Sequence, residues 1–595
     1  MSTEFTPQFN TLIEILEHST NEFRDRPLFG TKRGGSWLWM THGAFRAEVD
    51  RVRTGLGGLG VAKGGVVAII ADNCPEWAIA AYAAYGLGAS VVPMYEAQHD
   101  ENWQHILGDS GATVAFVADS SIQKRVRAFA HDLPGLERIV PFDGTGDGEV
   151  TFATLGAEAE TMTPLTELQP GDIAGFVYTS GTTGKPKGVL LTHANLANNV
   201  SAITDVFPLD ADDRTLSFLP WAHAFGQTVE LHTIVSRGCS TAFAESTPKI
   251  VENLGEVNPT MLVSVPRIFS KIYDGINKHM AAEGGVTKTM FDAALANAQK
   301  KRKLAEDGKR SRLVDMQHSL FDRVVLSKVR ARFGGNLKYA ISGGAAIPQE
   351  VALFIDALGI DVYEGYGLSE TSPIATANWP GTRRIGSVGK AIPGVRIKID
   401  TAVAADPRDG EIIVYGHNVM HGYHDLPDKT AEVMTEDGGF RTGDLGRLDG
   451  DGFLHITGRV KEQYKLANGK YVVPTIIEDH LTLSPYIANS MVYGDGRPYN
   501  VALIVPEYRA IEKWREAEGV ELDEDNMPNN PDLLALIGGE IDSYTESLPH
   551  YERVREFALL KEDFTTENGM LTPTLKLKRN LVWNTFSGEI EGMYS

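Results

Sequence analysis

Residues 179–188 form the most specific pattern in this chain. They read Thr179-Ser180-Gly181-Thr182-Thr183-Gly184-Lys185-Pro186-Lys187-Gly188. The small residues allow backbone N–H groups to close on phosphate oxygens, the hydroxyls add donors, and two lysines add positive charge. The run follows a strand-like segment at 173–178 and precedes a helix-like segment at 192–200. This context favours a phosphate-binding loop over an ordinary flexible surface loop.

The loop does not match the two commonest nucleotide-binding patterns. It lacks the G-x-x-x-x-G-K-[ST] spacing of a Walker A loop. It also lacks the G-x-G-x-x-G spacing of dinucleotide-binding folds. A phosphate site of another kind is therefore expected.

On either side of this loop, short apolar runs alternate with helical patterns through the first 450 residues. The clearest strand run is Val66-Val67-Ala68-Ile69-Ile70, and the helix after it begins at Asn73-Cys74-Pro75, with proline in the first turn. Further strands are expected at 91–93, 114–118, 139, 173–178, 337–341 and 361–363, with helices at 77–87 and 103–107 and from 121. Such alternation predicts α/β layers with substantial parallel sheet.

Two later segments differ from this alternating pattern of strands and helices. Residues 276–332 are charged and helical in pattern, which predicts a solvated helical insertion, with a basic surface for anionic lipid as the alternative. After Arg459 a compact unit follows, with strands near 490 and 501 and helices near 508–517 and 549–556. We therefore expect a large domain at 1–458 and a small α+β domain at 459–595.

Composition narrows the class of protein. The 595 residues include 56 Lys or Arg and 78 Asp or Glu, for a net charge of -22, which argues against a nucleic-acid binder. Two cysteines cannot build a disulfide framework. The first residues are acidic, and no apolar run is long enough to span a membrane. We expect a cytoplasmic protein, a monomer or homodimer, and leave peripheral membrane contact open.

Five further motifs carry side chains suited to chemistry. They are Leu219-Pro220-Trp221-Ala222-His223, Ser342-Gly343-Gly344-Ala345-Ala346, Tyr363-Glu364-Gly365-Tyr366-Gly367-Leu368-Ser369-Glu370-Thr371, Arg441-Thr442-Gly443-Asp444 with Gly458-Arg459, and Thr572-Pro573-Thr574-Leu575-Lys576-Leu577-Lys578-Arg579. Each taken alone has an ordinary reading, such as a core histidine, a tight turn, a surface carboxylate or a solvated basic patch. Their combination and their order along the chain indicate a functional site rather than five unrelated features.

Together with residues 179–188, these motifs resemble those of the adenylate-forming enzymes, over most of the chain and in that family's order. The resemblance implies an α/β fold with a small mobile C-terminal domain. It assigns the reaction to Lys576, Glu370 and Thr182, with Glu370 also binding Mg²⁺. It assigns ATP or AMP binding to Thr179, Ser180, Gly181, Thr182, Thr183, Gly184, Lys187, Gly344, Ala345, Tyr366, Gly367, Ser369, Asp444 and Arg459. Trp221, His223 and Gly343 would border the acyl chain.

The segment from Arg459 to Lys470 indicates which branch of this family the chain resembles. Lys461 stands at the position of the family's hinge, where many relatives have aspartate, and Gly469 lies one residue later than in many of them. Both features resemble the long-chain acyl-CoA synthetases, as does the Pro498–Leu503 region.

The resemblance implies ATP-dependent activation of a carboxylic acid, most simply a medium- to long-chain fatty acid, followed by transfer to coenzyme A. Three alternatives remain at this point. They are an acyl-AMP ligase that serves a carrier protein, a luciferase-like oxygenase, and a non-catalytic nucleotide-binding scaffold.

Overall fold

The computed structural model describes residues 5–144, 150–179, 185–403, 408–521, 527–572 and 576–595. Within these ranges the strands, in chain order, are β1 (Pro27–Arg33), β2 (Ser36–Thr41), β3 (Val66–Ile70), β4 (Ser90–Met94), β5 (Val114–Val117), β6 (Arg138–Pro141), β7 (Ile173–Thr179), β8 (Lys187–Thr192), β9 (Arg214–Ser217), β10 (Ser240–Phe243), β11 (Met261–Ser264), β12 (Tyr339–Ser342), β13 (Val362–Gly367), β14 (Ile374–Ala377), β15 (Lys390–Ala391), β16 (Val395–Asp400), β17 (Gly410–Gly416), β18 (Gly422–Tyr423), β19 (Phe440–Leu448), β20 (Leu454–Arg459), β21 (Tyr464–Lys465), β22 (Tyr471–Val472), β23 (Ile487–Tyr493), β24 (Asn500–Pro506) and β25 (Val554–Leu559).

The helices alternate with these strands in the first two thirds of the chain. They are α1 (Leu12–Glu22), α2 (His42–Gly58), α3 (Pro75–Gly86), α4 (Asp100–Ser110), α5 (Ser120–Phe129), α6 (His193–Val206), α7 (Thr233–Arg237), α8 (Ile250–Val257), α9 (Pro266–Glu283), α10 (Gly285–Glu306), α11 (Arg312–Phe321), α12 (Ser327–Ala331), α13 (Gln349–Ala357), α14 (Pro427–Val433), α15 (Pro474–Leu481), α16 (Tyr508–Glu518), α17 (Pro531–Thr545), α18 (Arg579–Thr585) and α19 (Ser587–Gly592). Wider π-helical turns occupy Gly226–His232 and Asp322–Leu326.

The largest sheet has seven strands, in the order β18-β8-β7-β4-β3-β5-β6. Its centre is parallel, and every residue of β3 and β4 is buried because helices cover both faces. Helix α3 begins at Pro75, as expected, since proline is tolerated in the first turn of a helix. Strand β8 is antiparallel to β7, so residues 180–186 connect the two strands of a hairpin.

A second sheet has the order β11-β12-β13-β14-β15, with β11, β12 and β13 parallel. Successive side chains on these strands point to opposite faces. Ala340 and Val362 pack into the core beneath α9 and α13, whereas Ile341 and Tyr363 face the other way, towards a cavity. This sheet therefore separates the cavity from the long helices α9 and α10.

The antiparallel sheet β16-β17-β19-β20 leads into the C-terminal region. Beyond it, β23, β24 and β25 form a three-stranded sheet with its own apolar core, which includes Ile504, Ile537 and Val554. A large N-terminal part and a smaller C-terminal part with a separate core follow from this arrangement.

One expectation for this region was wrong. The helix expected near 549–556 is instead a turn followed by β25, which pairs in parallel with β24. Tertiary pairing overrides local propensity there. The helix expected at 192–200, after residues 179–188, is present as α6, which follows β8 and begins at His193, with a capping box that joins Thr192 and Asn195.

The expected helical insertion is present as α10, α11 and α12, which follow the long helix α9. Helix α10 packs against α9, α11 and α13. Within the described ranges, no helix combines the length and apolar character needed to cross a bilayer.

Candidate active site

Asp444 and Arg459 lie opposite each other on β19 and β20. Arg459 Nε is 2.9 Å from Asp444 Oδ1, and the aspartate side chain is almost fully buried. A buried carboxylate is stabilised in its ionised form by such a partner. Burial nevertheless raises the pKa of Asp444, against the opposing effects of Arg459 and of the hydrogen bond from Tyr366.

Tyr366 joins this pair from the neighbouring sheet. It lies near the end of β13, and its hydroxyl donates a 2.7 Å hydrogen bond to Asp444 Oδ2. Gly367, next along the strand, has no room for a side chain, because a Cβ would overlap the carbonyl oxygen of Pro373. The close approach of these two backbone segments explains the need for glycine.

Glu370 lies in the short 3-10 turn Ser369–Thr371. Its Oε1 accepts a 2.9 Å hydrogen bond from the hydroxyl of Tyr423, and the Nζ of Lys187 lies 4.2 Å from the centre of the Tyr423 ring. Glu370 and Lys187 therefore share one aromatic neighbour. Ser369, the first residue of the turn, is buried.

Lys576, in the C-terminal part of the chain, lies near Asp444, Arg459 and Glu370. Its backbone N–H donates to the Thr572 hydroxyl, and its carbonyl accepts from the Thr572 N–H, so the two residues close a hairpin. The side chain is accessible to solvent within a cleft. Surrounding protein lowers its pKa, as does Arg459, while Asp444 and Glu370 act in the opposite direction. These interactions bring Lys576 into one charged cluster with Asp444, Arg459 and Glu370.

A cavity of about 600 Å³, including its open mouth, begins beside this cluster. It is lined by Ile203, Val206, Phe207, His223, Phe225, Val229, Ile341, Gly343, Gly344, Tyr363, Gly365, Tyr366, Gly367, Pro373, Ile374, Ala377, Asn378 and Ile392. None of these described lining residues carries a carboxylate, ammonium or guanidinium group. Apart from His223, Asn378 and the two tyrosines, Tyr363 and Tyr366, the lining is apolar.

The glycine-rich turn after β12 contributes the middle of the cavity wall. Gly344 has a φ of +85°, in the left-handed region that favours glycine. A Cβ on Gly343 would lie 2.9 Å from the ring of Phe225. Ala345 follows and is exposed. The turn therefore presents backbone, rather than side chains, to the cavity.

His223 lines the cavity, but Trp221 does not. Burial lowers the pKa of His223 to about 4, with a smaller effect from Lys576, so the imidazole is neutral at pH 7. Trp221 is completely buried behind the wall, among Phe29, Trp77 and Phe243. The expected direct contact between Trp221 and the acyl chain is absent from this geometry, since its indole points into the core.

Two residues that were not among the expected site residues support this wall of the cavity. Asn73 Oδ1 accepts a 2.8 Å hydrogen bond from the Trp221 backbone N–H, and its amide donates to Leu219 O. Glu230 Oε2 accepts from the Trp221 indole at 3.0 Å and from the Ser217 hydroxyl. Asn73 and Glu230 thus hold the Leu219–His223 segment from two sides.

Glu230 is fully buried beside Val229, which lines the cavity. Its second oxygen, Oε1, has no partner among the described residues. Burial raises the pKa of Glu230 to about 7, because the ionised form is poorly solvated there. A buried acid in an apolar helical pattern gives no sequence signal of its own, so only its position reveals it.

Part of the 179–188 loop falls outside the described residues. Ser180, Gly181, Thr182, Thr183 and Gly184, which the sequence assigns to phosphate, belong to that part. The flanking residues Thr179 and Lys187 are paired across β7 and β8. The loop therefore begins and ends beside the Lys187–Tyr423–Glu370 group.

Lys461 lies in the exposed turn immediately after β20, two residues beyond Arg459. The backbone N–H groups of Glu462 and Gln463 both donate to Arg459 O, which closes this turn. The turn connects the sheet carrying Asp444 to the C-terminal part carrying Lys576.

The described residues contain no cluster of three or more His, Cys, Asp or Glu side chains that could enclose a metal ion. Glu370 is a single hard-oxygen donor at the cluster. Mg²⁺ is commonly held by one or two carboxylates together with substrate phosphates rather than by a protein cage. The donor set therefore fits Mg²⁺ carried by a nucleotide.

Comparisons with known proteins agree with this geometry. The sequence profile of the AMP-binding enzyme family matches residues 16–424, and that of the AMP-binding enzyme C-terminal domain matches 461–595. The chain is 35% identical to the long-chain-fatty-acid–CoA ligase FadD15 of Mycobacterium bovis, over 98% of this chain and 97% of the relative. It is 30% identical to the peroxisomal long chain acyl-CoA synthetase 6 of Arabidopsis thaliana, over 99% and 87%.

Solved structures show the same fold at lower identity. The anthranilate CoA ligase AuaEII, in complex with anthranoyl-AMP, has a TM-score of 0.74 at 22% identity, over 98% of this chain and 99% of that one. The adenylation domain of a carboxylate reductase from Mycobacterium chelonae has a TM-score of 0.80 at 21% identity, over 99% and 92%. The chain belongs to the AMP-binding enzyme family, in its long-chain acyl-CoA synthetase branch, and has the adenylate-forming fold.

Proposed function

We propose that this chain is a fatty-acid–CoA ligase that forms an acyl-adenylate from a carboxylic acid and ATP and then transfers the acyl group to coenzyme A. Full-length relatives are named long-chain-fatty-acid–CoA ligases, which supports this activity. The products are acyl-CoA, AMP and pyrophosphate. A medium- to long-chain fatty acid is the substrate class that fits best.

The observation that carries the proposal is the position of Lys576. This lysine comes from the C-terminal part of the chain, yet it interacts with Asp444 and Glu370, which come from the N-terminal part, and with Arg459 at the end of β20. It also acts on His223 at the cavity wall. A cation at that junction lies between an expected nucleotide and an expected carboxylate.

The first half-reaction joins two anions, so their repulsion must be offset. A carboxylate oxygen attacks the α-phosphorus, an acyl–phosphate bond forms, and pyrophosphate leaves. Lys576 would hold both the carboxylate and the α-phosphate, and Lys187 would offset charge on the triphosphate. Preorganised cations of this kind are the largest contribution to phosphoryl-group chemistry.

Glu370 would hold Mg²⁺ at the triphosphate, and the ion would supply charge neutralisation there. Asp444 would accept hydrogen bonds from the ribose hydroxyls, and Arg459 would keep it ionised. Tyr366 would lie against the adenine. Within 179–188, Thr179, Ser180, Gly181, Thr182, Thr183 and Gly184 would surround the phosphates.

The acyl chain would extend from His223 and Gly343 into the apolar part of the cavity. Burying a methylene contributes about 0.8 kcal/mol, so a longer chain gains affinity until the cavity is filled. A second carboxylate would lack a charged partner among the described lining residues. The lining thus favours a monocarboxylic acid with a hydrocarbon tail.

The second half-reaction needs a different arrangement. The coenzyme A sulfur attacks the acyl carbon, a thioester forms, and AMP leaves. Lys576 would occupy the approach to that carbon, so the C-terminal part would have to move, with Lys461 as the hinge between domains at 1–458 and 459–595. We further propose a cytoplasmic protein that acts as a monomer or homodimer.

A substrate screen tests this function. Pyrophosphate release and thioester formation are measured with saturated acids of increasing chain length, ATP and Mg²⁺, with and without free coenzyme A. The proposal predicts coenzyme-A-dependent thioester and a rise in kcat/KM from short to long acids. Acyl-AMP formation without thioester would instead favour a ligase that serves a carrier protein.

A further inference from the structure

The helical insertion, residues 276–332, has a charge opposite to that of the whole protein. It contains thirteen Lys or Arg and six Asp or Glu, a net charge of +7, whereas the chain as a whole has -22. Basic side chains are thus concentrated on one structural element. Such a concentration is the usual electrostatic signature of a surface that binds polyanions.

Many of these bases are available to a partner. Exposed lysines and arginines that form no salt bridge with a described residue are Lys300, Lys301, Lys303, Arg310, Arg312, Arg323 and Lys328. Unpaired bases gain more from an external anion than bases already paired within the protein, because no internal ion pair must be broken.

Helix α11 is apolar on two faces. Its inner face is covered, since Val314 is buried, and beyond the helix Leu326 packs into the same core cluster as Phe291. The outer face carries Leu313, Met316 and Leu320, and Val324 follows in the π-helical turn that continues the helix; these four residues are 38–66% exposed. Their spacing of three, four and four residues puts them on one side of a helix. We call these four residues the apolar stripe.

The adjacent helix α10 also exposes apolar side chains. Helix α10 packs along α11 and along the Asp322–Leu326 turn, and Asn297 donates a hydrogen bond to Gln317 between them. Near the start of α10, Val286 and Met290 are also exposed. Large exposed apolar side chains grouped in this way mark an interaction surface.

We propose that the apolar stripe and its flanking bases form a docking surface for an anionic lipid bilayer. An amphipathic helix lies at a membrane interface with its apolar side among the acyl chains and its lysines and arginines at the level of the head groups. The charge of the insertion complements an anionic leaflet, while the acidic remainder of the chain is repelled by it. Clusters of four to eight bases are typical of such surfaces.

The surface lies on the far side of the β11–β15 sheet from the cavity, because Ile341 and Tyr363 face the cavity while α9 and α13 cover the other face. Docking would therefore hold the enzyme at a bilayer without covering the site. The inference goes beyond the proposed activity, and it can be tested without ATP or coenzyme A.

The test is cosedimentation of the full chain with phosphatidylcholine vesicles, with or without phosphatidylglycerol. We expect binding to the anionic vesicles, binding at least about tenfold weaker to pure phosphatidylcholine, and loss of binding at high salt. Lys300→Ala combined with Lys301→Ala should weaken binding about 25-fold, since each base near such a surface contributes about fivefold. The triple change Leu313→Ser, Met316→Ser and Leu320→Ser should abolish it.

Matched controls alter the same side chains elsewhere. Lys124→Ala with Lys513→Ala removes two exposed lysines, and Leu38→Ser with Met162→Ser removes two exposed apolar residues, all outside the insertion. These variants should bind like the unmodified protein. Every variant should keep its thermal midpoint and its pyrophosphate release with a short, water-soluble acid, so that lost binding is not lost folding.

Two results would overturn the proposal. One is no binding of the unmodified protein to anionic vesicles, or binding that the stripe and lysine variants leave unchanged. The other is concentration-dependent dimerisation in light scattering, lost in the triple variant, without vesicle binding. That second result would assign the stripe to a contact between two copies of this chain.

Discussion

Asp444 and Arg459 are cross-strand neighbours whose side chains form a 2.9 Å salt bridge, and the hydroxyl of Tyr366 donates to the second oxygen of the same carboxylate. Two side chains, one from each of two different sheets, therefore converge on one buried anion. The turn that follows Arg459 contains Lys461, so the proposed ribose site and the proposed hinge are separated by one residue.

Asp444→Asn should weaken ATP binding. The change keeps the size of the side chain but removes the charge that Arg459 faces and one acceptor for ribose. A hydrogen bond involving a charged group contributes about 1.5–3 kcal/mol, so the KM for ATP should rise about 10- to 100-fold. The control is Asp449→Asn at the other end of the β19–β20 hairpin, which loses an ion pair with Arg384 but no contact near the cavity. Equal KM values for both variants would remove Asp444 from the nucleotide site.

Gly343→Ala should reduce the use of long acids more than of short ones. The new methyl group would lie 2.9 Å from the Phe225 ring, so the ring must shift within the cavity wall. Overpacking of this kind costs about 1–3 kcal/mol, equivalent to about 5- to 150-fold in kcat/KM for a substrate that needs the space.

The matched control is Gly171→Ala, where an added Cβ meets no atom within 4 Å. The measurement is kcat/KM across a series of chain lengths for both variants. A loss that is the same at every length would contradict a role for this wall in holding the chain.

Glu230→Gln should alter the pH dependence of stability. The pKa of Glu230 is about 7 in the folded chain and ordinarily about 4.5. Below pH 4.5 the carboxyl group is protonated in both the folded and the unfolded chain, so its full contribution to the free energy of unfolding is present. As pH rises from 4.5 through 7, the unfolded form ionises first, and that contribution is lost, by about 3 kcal/mol in total.

Glutamine cannot ionise, so the unmodified protein should lose thermal midpoint relative to Glu230→Gln between pH 5 and pH 8. Thermal unfolding at several pH values measures this difference, with the exposed Glu101→Gln as the control. A pH-independent difference would show that Glu230 does not titrate in this range.

Lys461→Pro should impair thioester formation more than adenylation. Proline fixes φ near −65° and also restricts the preceding residue, so the turn after β20 could no longer adopt a second conformation freely. Lys461→Ala is the control, since it removes the charge and keeps the backbone free. If both half-reactions keep their rates in Lys461→Pro, the hinge lies elsewhere.

The alternating layers were predictable because their strands are short buried runs. Val66–Ile70 and the Pro75 helix start appear as expected. Strand β8 was missed because Lys187-Gly188 looked like part of the loop, and α17 because two glycines interrupt its pattern. The local sequence near 549–556 favours a helix. Strand β25 forms there instead because it pairs in parallel with β24, which lies far away in sequence.

The candidate site was predictable in part, since Tyr366, Glu370, Asp444, Arg459 and Lys576 were all named from motifs and do lie together. Their roles remain predictions. Asn73 and Glu230 could not be found in the same way, because they are 148 and 9 residues from Trp221 and act through hydrogen bonds to it. Such support depends on tertiary proximity, which a motif does not contain.

The most direct test of the account separates the two half-reactions in Lys576→Ala. Pyrophosphate exchange measures acyl-AMP formation, and thioester yield from supplied acyl-AMP and coenzyme A measures the second step, with Lys578→Ala as the neighbouring control. We predict that adenylation falls about a hundred- to a thousand-fold while the thioester step keeps its rate. Equal losses in both steps, or unchanged adenylation, would contradict the assignment of Lys576.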